Sequence, residues 1–128
     1  MRRWVYILLF LGILAGITGC SNASGGPISA IESYNHALVE GKADQLSTLS
    51  CSDWEADAKN ELASFSAVKV SLEDMSCSEK NKDGDTVLVA CTGKIIANYG
   101  NEVLEINLED RLYQAVLEGG EWRMCGYR

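Results

Sequence analysis

The chain has 128 residues, of which 47% are hydrophobic, and its 18 acidic and 11 basic residues give a formal net charge of −7. A chain of this length has room for one modest hydrophobic core. An acidic protein gains nothing from contact with phosphate backbones, so the composition argues against nucleic acid as a partner.

The first segment has the pattern of a bacterial export signal. Arg2 and Arg3 precede an apolar run, WVYILLFLGILAGI, that contains no charged residue. A charged start, a short apolar stretch and a small-residue exit are typical of signal peptides. The exit reads ITGC and ends at Cys20, and it resembles the lipobox of bacterial lipoproteins.

The lipobox resemblance implies cleavage before Cys20 and lipidation of its sulfur. Residues 1–19 are then a signal peptide and residues 20–27 a lipidated cysteine with a flexible tether. We expect an extracytoplasmic protein anchored to the cell membrane or outer membrane, with a plain signal peptide or an uncleaved anchor as alternatives. Because residues 1–19 hold two of the basic and none of the acidic residues, the remainder carries a net charge of −9.

Four cysteines remain once Cys20 is assigned to the lipid, and they are Cys51, Cys77, Cys91 and Cys125. An even number of cysteines outside the cytoplasm favours two disulfides, for which three pairings are possible. The four include no CxxC pair and the chain has one histidine, which disfavours a zinc site. No motif for a metal or another cofactor is present, so none is expected.

The sequence of the amino-terminal half predicts helices. Ser29 followed by Glu32 has capping-box spacing and predicts a helix over residues 29–40, and a short helical turn, ADQLSTL, follows it. Ser52 and Glu55 have the same spacing and predict a further helix that ends near residue 65. Its predicted apolar stripe consists of Trp54, Ala58, Leu62 and Phe65.

Alternating apolar residues predict four antiparallel strands in the second half. The first strand begins near Val68 and contains a bulge near Glu73, and the second covers residues 86–99. The third covers residues 102–117 and the last residues 121–128. The sequence therefore predicts an α+β domain over residues 28–128, with amino-terminal helices on a four-stranded sheet.

The turns between the strands predict their register. A two-residue hairpin at Gly100-Asn101 places Cys91 opposite Asp110, and a three-residue turn at residues 83–85 places Cys77 opposite Cys91. Directly opposed residues lie within disulfide reach. The remaining two cysteines would join the helices to the last strand, which predicts the pairs Cys77–Cys91 and Cys51–Cys125.

Three local sequences occur in a recognisable order: a helix reading AIESYNHALVEG, a tryptophan-bearing helix, and a final strand reading GEWRMCGY. This layout resembles the nuclear transport factor 2-like superfamily. The resemblance implies a curved sheet folded around helices into a cone. The superfamily contains small enzymes as well as non-enzymatic domains that bind ligands or form dimers, so the fold alone does not assign a function.

Asp110 is the weak candidate for a catalytic residue, since it interrupts the inner apolar phase of the third strand. A carboxylate inside an apolar cone can act as an acid or base, with Tyr34 or His36 as its partner. The competing interpretation pairs Asp110 with Arg123. His36 is expected on the solvated surface of its helix. Tyr34 and Trp54 are expected in the core, and Glu105, Glu109 and Arg111 on a solvated charged face.

We therefore expect a non-catalytic envelope domain, anchored to the membrane by lipid, that binds a small apolar ligand or a protein partner. One alternative is a small enzyme of the isomerase or dehydratase type that uses Asp110. The other is a structural domain that forms homodimers through its sheet.

Overall fold

The computed structural model describes residues 25–128, in which helices precede an antiparallel sheet. The predicted signal peptide and Cys20 lie outside these residues. The helices are α1 (Pro27–Val39), α2 (Ala43–Leu49) and α3 (Glu55–Ser64). The strands are β1 (Lys69–Asp83), β2 (Thr86–Asn98), β3 (Val103–Asn107), β4 (Leu112–Glu118) and β5 (Glu121–Tyr127), with a 3-10 turn at Leu108–Asp110. The predicted α+β class is confirmed.

The helices begin differently from the capping-box prediction. In α1, Gly26 is the N-cap, and no side chain of residues 25–128 caps the helix. Proline at the first helical position has its φ angle preset and lacks the N–H that would need a cap. In α3, Trp54 is the N-cap, and the backbone N–H of Ser52, which the predicted capping box pairs with Glu55, donates to the carboxylate of Glu118 at 3.2 Å. Both predicted capping boxes are therefore wrong, although the helices form.

The predicted third strand is interrupted. Its first part, β3, pairs with β2 in the predicted register, with Ile95 opposite Ile106. The 3-10 turn then shifts the register by one residue, and β4 pairs with the other half of β2, with Ala90 opposite Leu112. Asp110 lies in that turn, so the prediction that it faces Cys91 is wrong. The sheet order is β1-β2-β4-β5, with β3 beside β2.

The β1–β2 hairpin brings Cys77 opposite Cys91 as predicted, by a different route. The turn is one residue shorter than expected, because Asp83 pairs directly with Thr86. An irregularity in β1 between Glu79 and Asn81 compensates for the missing turn residue. The predicted bulge near Glu73 is confirmed, since the register shifts again between Glu73 and Ser76.

The core lies between α1 and the inner face of the sheet. From α1, Ile31, Tyr34 and Leu38 are at most 1% exposed, and they belong to one apolar cluster with Tyr113 and Met124 of the sheet. Burying one side chain of this size stabilises the fold by about 1.5–3 kcal/mol. The helices are therefore fixed on the sheet mainly through α1.

Two disulfides reinforce this arrangement. Cys51–Cys125 joins the segment between α2 and α3 to β5, with the Cα atoms 5.2 Å apart. Cys77–Cys91 crosses β1 and β2, with the Cα atoms 4.0 Å apart. The pairing is the predicted one, and two disulfides indicate an oxidising environment outside the cytoplasm. Within residues 25–128, every helix is too short or too polar to cross a bilayer.

Candidate functional site

A carboxylate on α3 is the centre of a hydrogen-bonded group of side chains. Oε2 of Glu61 accepts a hydrogen bond from the Tyr34 hydroxyl at 2.8 Å, and Oε1 accepts one from the Tyr127 hydroxyl at 2.6 Å. The Arg111 guanidinium lies 3.5 Å from Oε1, and the Arg111 and Glu61 side chains are 21% and 18% exposed. With Trp54, these residues form what we call the Glu61 cluster.

Aromatic contacts complete the Glu61 cluster. The indole N–H of Trp54 donates to the Tyr34 hydroxyl at 3.0 Å, and the Trp54 ring meets the Tyr127 ring edge to face at 5.3 Å. The guanidinium of Arg111 lies 4.4 Å from the centre of the Tyr127 ring. A cation in this position is attracted by the ring. The cluster therefore joins α1, α3, the start of β4 and the end of β5.

Burial controls the protonation of the tyrosines around Glu61. It raises the pKa of Tyr34 and of Tyr127 well above the usual value near 10, and the negative charge of Glu61 raises both further. Burial also raises the pKa of Tyr113 to about 12, although the Arg111 charge and a hydrogen bond with Asn35 oppose the change. These hydroxyls therefore stay protonated at neutral pH and act as donors.

The cluster is arranged as a structural cross-link. Both oxygens of Glu61 accept hydrogen bonds, and the Tyr34 hydroxyl both accepts from Trp54 and donates to Glu61. A general base needs a free lone pair aimed at a substrate proton, and a tyrosine with a raised pKa stays protonated at neutral pH and cannot accept that proton. These hydrogen bonds tie α1, α3 and β5 together and stabilise the fold.

The structure separates the candidates for catalysis. Asp110 is exposed in the 3-10 turn, which corrects its predicted place on the inner face. In residues 25–128, no hydrogen bond or ion pair links it to Tyr34 or His36, and Arg123 pairs with Glu121 instead. His36 is exposed on α1, whereas Tyr34 is fully buried. The three residues do not form a site.

The sequence contains a signal for Glu61 that its residue-by-residue interpretation missed. Glu61 stands seven positions after Trp54 and three after Ala58, so it belongs on the stripe that α3 buries. A charged residue on a buried helix face needs a partner. Arg111 supplies it, and the prediction that Arg111 lies on a solvated face is therefore wrong.

An apolar groove lies between the ends of two helices and the start of the sheet. We call it the α1–α3 groove, and its volume is about 310 Å³. Its apolar lining consists of Leu38 and Val39 of α1, Leu62 of α3, Phe65 and Val68 between α3 and β1, and Val70 of β1. Glu40, Gly41 and Ser66 complete it. Within residues 25–128, no three His, Cys, Asp or Glu side chains converge as metal ligands.

Among solved structures, the chain resembles the helical cell shape determining protein Pgp2 from Campylobacter jejuni, with a TM-score of 0.51 at 9% identity. The match covers 78% of this chain and 38% of that chain, so this chain spans less than two-fifths of that protein's length. At this identity the likeness concerns the fold alone. No protein-family model and no curated protein matches the chain.

Proposed function

We propose that the chain is a lipid-anchored, non-catalytic binding domain of the cell envelope that takes a small apolar ligand in the α1–α3 groove. The observation that carries the proposal is the convergence of six apolar side chains on a concavity of about 310 Å³. Ligand sites commonly have volumes of about 300 Å³ or more and a mostly apolar lining. Glu40 and Ser66 supply polar groups that would orient the polar end of a ligand.

Anchoring through Cys20 would leave this groove accessible. The ITGC sequence supports lipidation, and the two disulfides support a place outside the cytoplasm. Pro27 follows Cys20 by seven residues, which span at most about 25 Å. The groove lies at the opposite end of α1, at Leu38 and Val39, about 18 Å further along the helix axis. A ligand in the aqueous phase would reach it there.

Membership of the nuclear transport factor 2-like superfamily is part of the same proposal. The order of three helices before the sheet supports it, as does the burial of α1 against one sheet face. Because non-enzymatic binding domains are common in that superfamily, the assignment agrees with a binding role. The superfamily assignment does not identify a particular ligand.

The test uses a neutral apolar dye, N-phenyl-1-naphthylamine, whose fluorescence rises in apolar surroundings. Residues 21–128 are exported behind a signal that lacks the lipobox, so that neither lipid nor detergent competes for the dye. Val68 and Val70 are each replaced by threonine, which keeps the branched shape and adds a hydroxyl. We expect saturable binding to the parent chain and at least tenfold weaker binding to the double variant.

Leu117→Thr is the matched control, since Leu117 is 53% exposed on β4 and does not line the groove. Its dye affinity should change by less than twofold. Two results would contradict the proposal: no saturable binding by the folded parent chain, or an equal loss in the Leu117→Thr control. Near-ultraviolet circular dichroism establishes that each chain is folded.

The two alternatives from the sequence have their own tests. Loss of turnover on a screened substrate in Asp110→Asn, with folding unchanged, would favour the enzyme. Sedimentation of the same exported chain as a dimer would favour the structural role.

A further inference from the structure

β3 leaves part of the sheet edge open. β4 pairs with one half of β2, and β5 covers the outer edge of β4. The last contact between β4 and β5 joins Leu112 and Arg128, which exchange two backbone hydrogen bonds of 3.0 and 2.8 Å. β3 continues the same side of β2, and within residues 25–128 it pairs with β2 alone. The outer edge of β3 therefore lies in line with the edge of β4 that β5 covers, but no strand of residues 25–128 covers it.

The hairpin fixes which backbone groups face this open edge. The N–H of Tyr99 donates to the carbonyl of Glu102 at 2.8 Å, so these two residues form a hydrogen-bonded pair. Hydrogen-bonded and non-hydrogen-bonded pairs alternate along an antiparallel ladder. Leu104 and Ile106 therefore direct their backbone groups toward β2. The residues whose N–H and C=O groups point away from β2 are Val103, Glu105 and Asn107.

The side chains of β3 are exposed on both faces. Val103 is 59% exposed and Leu104 is 47% exposed, although Leu104 lies opposite the fully buried Ala97 on the core-facing side. Edge strands with exposed apolar side chains and free backbone groups are templates for pairing with another chain. A strand added here would bury Leu104 on one face and Val103 on the other.

The charge along this edge defines its occupant. Residues 102–110 contain four acidic residues, Glu102, Glu105, Glu109 and Asp110, and no basic residue. Glu105 has one ion pair, with Lys94 at 3.1 Å, and both side chains are about half exposed. An exposed pair of this kind contributes about 0–1 kcal/mol and is easily exchanged. A basic strand is favoured here and an acidic one is repelled.

We propose that the open edge of β3 binds an extended basic segment of a partner protein as an added strand. Main-chain hydrogen bonds to the three outward-facing residues hold the segment, and alternate side chains select it. Because side chains alternate between the two faces of a sheet, apolar residues of the segment pack beside Leu104 and basic residues lie beside Glu105. This site is separate from the α1–α3 groove and does not depend on it.

The experiment uses the full chain in phosphatidylcholine nanodiscs, whose zwitterionic lipid does not attract basic peptides. The probe is a fluorescent decapeptide of alternating lysine and valine, and the comparison peptide has glutamate in place of lysine. We expect the basic peptide to bind at least tenfold more tightly than the acidic one. Empty nanodiscs give the background.

Two variants test the position of the site. Glu105→Lys reverses a charge on the edge, whereas Glu79→Lys makes the same change at an exposed position on β1, at the opposite side of β2. We expect Glu105→Lys to weaken binding of the basic peptide about tenfold and Glu79→Lys to change it less than twofold. Both substitutions are at exposed positions of strands, so both chains should fold.

Amide hydrogen exchange followed by NMR shows which backbone N–H groups the bound peptide protects. The basic peptide should slow exchange at Val103, Glu105 and Asn107, whose N–H groups face the edge, and leave Leu104 unchanged. Equal binding of the two peptides, or no added protection at the three outward amides, would overturn the proposal. Protection of these amides without peptide, in a chain that sediments as a dimer, would make a second copy the occupant and overturn it as well.

Discussion

The Tyr127 hydroxyl donates a 2.6 Å hydrogen bond to Oε1 of Glu61, and this bond joins the last strand to α3. Glu61 also accepts from Tyr34 and lies beside Arg111. Glu61→Gln keeps the shape but removes the charge that strengthens all three interactions. Because hydrogen bonds to charged groups contribute about 1.5–3 kcal/mol each, we expect a loss of about 2 kcal/mol in the free energy of unfolding, measured with urea.

Glu55→Gln is the matched control on the same helix. Glu55 lies at the start of α3 and pairs with Lys59 at 3.0 Å, with side chains 40% and 63% exposed. It also accepts a 2.6 Å hydrogen bond from the Ser47 hydroxyl, which the glutamine oxygen can still accept. An exposed helix pair contributes about 0.3–0.5 kcal/mol, so the control should lose less than about 1 kcal/mol. Equal losses in Glu61→Gln and Glu55→Gln would show that the Glu61 cluster adds no more stability than a surface ion pair.

The two disulfides should differ in what they contribute. They close loops of different length, with sequence separations of 74 for Cys51–Cys125 and 14 for Cys77–Cys91. The loop-entropy relation gives about 4.5 and about 3 kcal/mol, because the longer loop restricts the unfolded chain more. Replacing each pair by alanine, with the other pair as the control, should therefore destabilise the Cys51–Cys125 variant more in urea unfolding. The reverse order would contradict this reasoning.

Gly93 allows the bulge in β1 to approach β2. Its φ is +102°, and a β-carbon there would lie 2.5 Å from the carbonyl oxygen of Glu73. Gly100 also has a positive φ, of +88°, but a β-carbon on it would meet no atom of the described residues within 4 Å. We expect Gly100→Ala to lose about 1 kcal/mol in unfolding free energy from backbone strain alone. Gly93→Ala should lose about 3 kcal/mol or more, and equal losses would mean that the close approach to Glu73 is unimportant.

Alkaline pH should weaken the fold through its buried tyrosines. Burial raises the folded-state pKa of Tyr34, Tyr113 and Tyr127, that of Tyr113 to about 12. As the pH rises, the tyrosines of the unfolded chain therefore lose their protons at a lower pH than those of the folded chain. Their contribution to the free energy of unfolding is complete below pH 10 and is lost as the pH rises beyond it. Each tyrosine that ionises only on unfolding lowers the stability by about 1.4 kcal/mol per pH unit.

Urea unfolding between pH 9 and pH 12 measures this dependence, with tyrosinate absorbance as the second signal. Tyr113→Phe removes one titrating group and should make the decline less steep by about 1.4 kcal/mol per pH unit. The hydroxyl of Tyr113 donates to Asn35 at 3.2 Å, so the variant should also start from lower stability at pH 8. A decline of unchanged steepness would contradict the assignment of that proton.

The sequence predicts the order of the elements because that order depends on local patterns, whereas the predicted Cys77–Cys91 pair forms only because the irregularity in β1 offsets the shorter turn. Apolar alternation identifies the strands, and the Gly100-Asn101 hairpin sets the pairing of Ile95 with Ile106. The break at Leu108–Asp110 is not visible in that alternation, because Leu108 remains buried and keeps the inner phase. A register based on alternation alone therefore continues through the turn and places Asp110 on the wrong face.

The Glu61 cluster could be predicted only in part. The position of Glu61 on the apolar stripe of α3 indicates a buried carboxylate. Its partners come from residues 27 to 66 positions away in the chain, and no local pattern brings Tyr34, Arg111 and Tyr127 to the same place. The one-residue shift after the 3-10 turn turns Arg111 toward Glu61. Such a long-range constellation depends on packing rather than on spacing.

The most direct test of the account is a mass spectrum of the protein extracted from membranes and digested without reduction. A lipid-anchored extracytoplasmic domain predicts an amino-terminal peptide that begins at Cys20 and carries acyl mass. It also predicts linked peptides for Cys51–Cys125 and Cys77–Cys91. An amino terminus at Met1 with an unmodified Cys20, or free thiols at the other four cysteines, would contradict the central claim.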